Sequence, residues 1–99
     1  MPIGGAAHDV EIGASADEAF ILAQRALRQV GNVKEANAAE RQVKGSIRYG
    51  LRKILVKAHV EQRESASTVV LKAQGDDLWG AEARKALGRW ADALEKERP

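Results

Sequence analysis

The residues of this chain best suited to bind a ligand are basic ones between positions 44 and 72. Five of them fall on the same side of an alternating pattern: Lys44, Arg48, Lys53, Lys57 and Lys72. Lysine and arginine side chains clustered in this way can bind phosphate groups. They are equally typical of the solvated face of a sheet that is packed on one side only, where long cationic side chains cover apolar surface. We favour the second interpretation, because these positions lack the aromatic side chains on which a single-strand binder stacks bases.

Other reactive groups are few. The chain has no cysteine, which removes disulfides, thiolate nucleophiles and zinc–thiolate sites. His8 and His59 have no HxxxH spacing and no carboxylate-rich ligand set, so we expect surface histidines rather than metal ligands. Asp76 and Asp77 stand at a strand-to-helix junction, where capping is the ordinary role of a carboxylate. We therefore predict no catalytic residue, no metal site and no cofactor, and a protein that is not an enzyme.

Composition favours one small folded domain. The 99 residues are 44% hydrophobic and 30% charged, with a formal net charge of +2. A chain of this length can bury a single core. The glycine-rich residues 1–7 are expected to form a flexible lead-in, and residues 8–97 a single α+β domain. No signal peptide and no apolar run of the roughly 18 residues that a membrane span needs is found. We therefore expect a cytoplasmic protein with no membrane partner.

Two segments show helical periodicity. The first follows a capping box formed by Ser15 and Glu18. It ends at Gly31, which we expect in the left-handed conformation that closes many helices. The second segment is "LWGAEARKALGRWADALEKE", with Asp77 as its expected N-cap. Its apolar stripe consists of Trp79, Ala83, Ala86, Leu87, Trp90 and Leu94.

Between the helices, apolar and polar residues alternate with a period of two, which predicts strands. We expect strands at residues 33–37, 42–49, 53–62 and 67–74, and a further strand from His8 before the first helix. The positions predicted to face inward are Val43, Ile47, Tyr49, Ile54, Val56, Ala58, Val60, Val69, Leu71 and Ala73. Gly45 inside a strand indicates a bulge or a close contact with a helix.

These elements predict an α+β fold in two layers. Both helices are apolar on one side only, so the economical arrangement is a five-stranded antiparallel sheet (β-α-β-β-β-β-α) with both helices packed on one face. Consecutive strands pair as hairpins. Placing the first strand beside the fifth then gives the spatial order 2-3-4-5-1.

This arrangement resembles a known group of proteins. The strand–helix–four-strand–helix order, with "A..AL...G" in the first helix and "D.WG......L..W...L" at the end, is similar to small bacterial domains with a TATA-binding-protein-like or helix-grip-like arrangement. The resemblance covers about residues 8–96 and carries over no functional residue. A DNA-binding sheet of the first kind would need apolar wedges on its exposed face. No cluster of outward Phe or Leu residues is predicted here.

Three functional expectations follow. The first is a non-enzymatic binding or interaction domain, with a small apolar ligand in a cavity between sheet and helices. Its lining would be Phe20, Tyr49, Trp79 and Trp90. The alternative is a nucleic-acid-associated protein that uses the basic surface. An open sheet face and unpaired strand edges also predict self-association, as a homodimer, or binding to another protein.

Overall fold

The predicted two-layer α+β architecture is confirmed. A computed structural model describes residues 5–74 and 81–97. The elements are β1 (Gly5–Ile12), α1 (Ala16–Val30), β2 (Asn32–Asn37), β3 (Gln42–Tyr49), β4 (Arg52–Gln62), β5 (Ser67–Gln74) and α2 (Ala81–Glu97). The five strands form one antiparallel sheet in the order β1-β5-β4-β3-β2. This is the order expected from hairpin pairing with the first strand placed beside the fifth.

The core lies between the sheet and the helices. All the positions predicted to face inward on β3, β4 and β5 are buried except Tyr49, which is half-buried. They meet the apolar faces of α1 and α2, so that burial follows one side of each helix and alternates along β4. On β3 and β5, Ser46, Ser67 and Thr68 are buried as well. Trp90 of α2 is fully buried, and its indole Nε1–H donates a hydrogen bond to the Ala23 carbonyl of α1 at 3.1 Å. This bond ties the two helices together above the sheet.

The ends of α1 follow the sequence signals only in part. The Ser15 hydroxyl accepts a hydrogen bond from the Glu18 amide at 3.2 Å, as an N-cap should. At the other end, the prediction of a left-handed Gly31 is wrong, because its backbone is extended with φ at −166°. A Cβ at Gly31 would instead lie 2.1 Å from the Ser46 carbonyl oxygen of β3. Position 31, immediately before β2, therefore requires glycine because β3 approaches it closely.

The structure shows both a close helix contact and a β-bulge beside Gly45, the two features that a glycine inside a strand indicates. A Cβ there would lie 2.0 Å from the Asn32 carbonyl oxygen and 2.9 Å from Cδ2 of Leu27 on α1. Beside it the register shifts, since Val33 pairs with Gly45 but Glu35 pairs with Lys44. Lys34 is thus the extra residue of a β-bulge on β2. The close packing of α1 on β3 and the bulge on β2 therefore occur at the same place.

Some predicted boundaries differ from the structure. β1 begins at Gly5 rather than near His8, because Ala6 pairs with Ala73 and Ala7 with Lys72 of β5. The proposed cap Asp77 lies outside the described residues. Among the residues that are described, neither helix is long and apolar enough to cross a membrane.

Candidate functional site

The face of the sheet opposite the helices, here called the outer face, contains an unusual row of charges. Lys44 of β3 is the register partner of Lys57 on β4, and Lys57 is the partner of Lys72 on β5. All three side chains are exposed. Because neighbouring strands lie about 4.8 Å apart, this lysine row sets three like charges side by side over roughly 10 Å. Like charges directly opposite each other destabilise a sheet.

The lysine row borders a broad hollow of about 830 Å³, here called the outer-face depression. Among the residues that the structure describes, its lining includes the whole lysine row, Lys34, and one carboxylate, Glu35. Apolar lining comes from alanines of β1 and β5 and from Leu55, whose side chain is 57% exposed although it is a large hydrophobic residue. The hollow therefore combines an apolar floor with a cationic rim.

Lys34, the extra residue of the bulge, also belongs to this lining. The neighbouring Lys53, through a side-chain hydrogen bond and like-charge repulsion, lowers the pKa of Lys34 below its ordinary value. A positive field thus extends from the lysine row toward the β3–β4 hairpin, where Arg48 and Lys53 face each other in register.

The opposite end of the outer face is electrostatically balanced. Glu61 accepts a hydrogen bond from Arg63 at 2.9 Å and lies 3.1 Å from Nε2 of His59. The Thr68 hydroxyl lies within hydrogen-bond distance of both Arg63 and Glu11. By contrast, none of the ion pairs within residues 5–74 and 81–97 includes a lysine. Acidic and basic side chains are therefore hydrogen-bonded to each other at one end of the face, whereas at the other end the only carboxylate in register with the described lysine row is Glu35, opposite Lys44.

The residues predicted to line a cavity beneath the helices lie in different surroundings. Phe20 and Trp90 belong to the continuous hydrophobic core. Tyr49 is half-buried at the end of β3, with Nζ of Lys85 at 5.7 Å and Cζ of Arg89 at 5.0 Å from its ring centroid. Trp79 lies outside the described residues.

The five residues predicted as a basic surface do share the outer face. Lys44, Lys57 and Lys72 form the lysine row. Sequence reasoning missed Lys34, because the apolar residues of its strand, Val33 and Ala36, are three positions apart and show no period of two. Leu55 lies between the inward residues Ile54 and Val56, so a period of two places it outward, but nothing in the alternating pattern shows that the face around it is hollow.

Comparison with solved structures shows that this fold is shared at low identity. The chain is similar to a START superfamily protein from Mycobacterium smegmatis, with 13% identity and a TM-score of 0.65, covering 95% of this chain and 96% of that one. It is similar to the ZhuI aromatase/cyclase from Streptomyces sp. R1128, with 12% identity and a TM-score of 0.58, covering 94% and 92% of the two chains. The di-domain ARO/CYC protein BexL from the BE-7585A biosynthetic pathway matches with 16% identity and a TM-score of 0.60 over 92% of this chain. The chain spans only 46% of BexL.

These likenesses support the helix-grip part of the predicted resemblance. No protein-family model and no curated protein matches the sequence. The prediction that the chain is not an enzyme is wrong, because proteins named as aromatase/cyclases share its architecture. The lack of a recognisable catalytic motif was therefore not sufficient ground for that prediction. Identities of 12–16% show the common fold and nothing finer.

Proposed function

We propose that this protein binds a small organic molecule in the outer-face depression. The observation that carries the proposal is a hollow of about 830 Å³ with the exposed Leu55 in its lining. Pockets for small molecules usually measure roughly 300–1,000 Å³ and combine apolar walls with a few polar groups. The depression meets both criteria.

The exposure of Leu55 supports the same site. Single exposed hydrophobic residues are common and need no explanation. Leu55, however, lies in a concave surface and is surrounded by long lysine side chains. Covering it with an apolar ligand would remove hydrocarbon from water at about 25 cal/mol per Å². The fold likeness to an aromatase/cyclase, a protein named for small-molecule chemistry, adds support at the level of architecture.

The proposal can be tested with the neutral fluorescent probe N-phenylnaphthylamine, whose emission rises in apolar sites. Leu55→Ser should abolish most of the emission gained on mixing the probe with the protein. Ile21→Ser is the matched control, since Ile21 on α1 is exposed to a similar extent, 53% against 57%. Its emission should equal that of the unchanged protein. Equal losses in the two variants, or none in Leu55→Ser, would refute the site.

A further inference from the structure

We infer that the molecule bound in the outer-face depression is an organic anion whose acidic group lies over Lys44, Lys57 and Lys72. This inference rests on the proposed function and adds the chemical class of the ligand. It concerns carboxylates, sulfonates and phosphates that carry an apolar body. The acidic group would contact the lysine row, and the apolar body would cover Leu55.

The register of the sheet favours an anionic ligand. Lys57 is the register partner of both Lys44 and Lys72, and these like charges repel one another, whereas opposite charges in the same positions would attract. Carboxylate side chains do occur on the same face, at Glu11 and Glu61, but they are not placed opposite these lysines. A bound anion would turn this repulsion into attraction, since each ammonium would gain a charge-assisted hydrogen bond.

The charges of the outer face are also unevenly distributed. At the end of the face near Glu61, Arg63 donates hydrogen bonds to Glu61 and Thr68. Glu35 is the one carboxylate in the described lining of the depression, and it stands on the edge strand β2 as the register partner of Lys44. Lys57 and Lys72 have no carboxylate among their register partners and are therefore available to an anionic ligand.

Lys34 on the edge strand β2 adds a fourth lysine to the lining of the depression. The lowered pKa of Lys34 reflects how closely Lys53 approaches it. An anion at this end would reduce the repulsion between these two side chains as well.

The inference is tested with a pair of probes that differ mainly in charge. Anilinonaphthalene sulfonate is an anion, and N-phenylnaphthylamine is its neutral counterpart. The unchanged protein should bind the sulfonate more tightly. The double variant Lys57→Gln, Lys72→Gln should lose about tenfold in affinity for the sulfonate and keep its affinity for the neutral probe. Arg28→Gln with Lys96→Gln removes the same charge from the helices and should change neither affinity.

The outcomes separate this inference from the proposed function. Equal affinities for the two probes, unaffected in the lysine variant but lost in Leu55→Ser, would reject an anionic ligand and leave the site in place. Loss of sulfonate affinity in the helix variant as large as in the lysine variant would also reject it, since only net charge would then matter. A third arm uses a short single-stranded oligonucleotide. Tighter binding of the oligonucleotide than of the sulfonate, lost in the lysine variant, would overturn the inference in favour of a nucleic acid.

Discussion

Two glycines at the junction of α1 and the sheet show how single residues set the shape of this protein. Gly31 and Gly45 each face a backbone carbonyl oxygen at a distance that leaves no room for a Cβ. The close approach they allow coincides with the bulge at Lys34, a residue that lines the outer-face depression. The close packing of α1 on the sheet and this part of the proposed site are therefore neighbours in the structure.

Gly45→Ala should destabilise the fold, since the new methyl would lie 2.0 Å from the Asn32 carbonyl oxygen, on backbone that cannot move aside freely. We expect a loss of about 1–3 kcal/mol in the free energy of unfolding, measured by urea denaturation. Gly13→Ala is the control, because no atom lies within 4 Å of its added Cβ. A Gly45→Ala variant as stable as Gly13→Ala would contradict the packing described at this junction.

Trp90 is the largest fully buried side chain of residues 5–74 and 81–97, and it belongs to the core shared by both helices. Trp90→Ala should cost about 3–5 kcal/mol of unfolding free energy through the lost contacts and the cavity left behind. Trp90→Phe should cost less, because it keeps part of the ring volume and loses mainly the hydrogen bond to Ala23. Urea denaturation of both variants provides the measurement. A loss below about 1 kcal/mol in Trp90→Ala would be the size of an ordinary surface change and would contradict its place in the core.

At the scale of elements, most of the fold was predictable from the sequence. The bounds of β3 and β5 and the inward positions on β3, β4 and β5 were read from a strict period of two. The start of α1 was read from the Ser15 cap. These signals are local, so they can be recognised without knowing which element lies beside which.

What the sequence could not provide depends on neighbours in space. The conformation of Gly31 was mispredicted because its need for glycine comes from the Ser46 carbonyl, fifteen positions away along the chain. The register that aligns the lysine row, the bulge at Lys34 and the hollow around Leu55 also arise only when strands pair and twist. The composition of the basic surface was predictable, but its concave shape was not.

The lysine row also makes a prediction about stability. Lys57 has a lysine as its register partner on both sides, so Lys57→Gln should relieve like-charge repulsion. We expect a gain of roughly 0.2–1 kcal/mol in unfolding free energy at low salt, which should shrink as salt screens the charges. Lys57→Arg preserves the charge and should give no such gain. Equal stabilities for the Gln and Arg variants at low salt would show that the row carries no electrostatic strain.

At the scale of the whole molecule, the two edges of the sheet differ. β1 pairs with β5 in unbroken register over eight residues, so its free edge is regular. The β2 edge is interrupted by the bulge at Lys34, and bulges discourage edge-to-edge pairing. Pairing through β1 would place a strand of the partner beside Ala6 and Ala7, which line the outer-face depression.

We therefore predict a homodimer formed through β1. Light scattering should give twice the chain mass of 10.7 kDa at high protein concentration. Amide hydrogen exchange in β1 should slow as the concentration rises, while exchange in β2 stays unchanged. A mass of 10.7 kDa at every concentration would contradict the dimer. A dimer whose β2 amides gain protection would contradict the assigned edge.

The central claim is that the ligand site lies on the outer face and not between the sheet and the helices. The most direct measurement is a two-dimensional amide NMR titration with anilinonaphthalene sulfonate. The backbone amides of Leu55, Lys57 and Lys72 should shift, whereas the indole N–H of Trp90, which is buried and bonded to Ala23, should stay in place. Shifts concentrated on Phe20, Tyr49 and the Trp90 indole, with the lysine row unmoved, would contradict the claim and place the site beneath the helices.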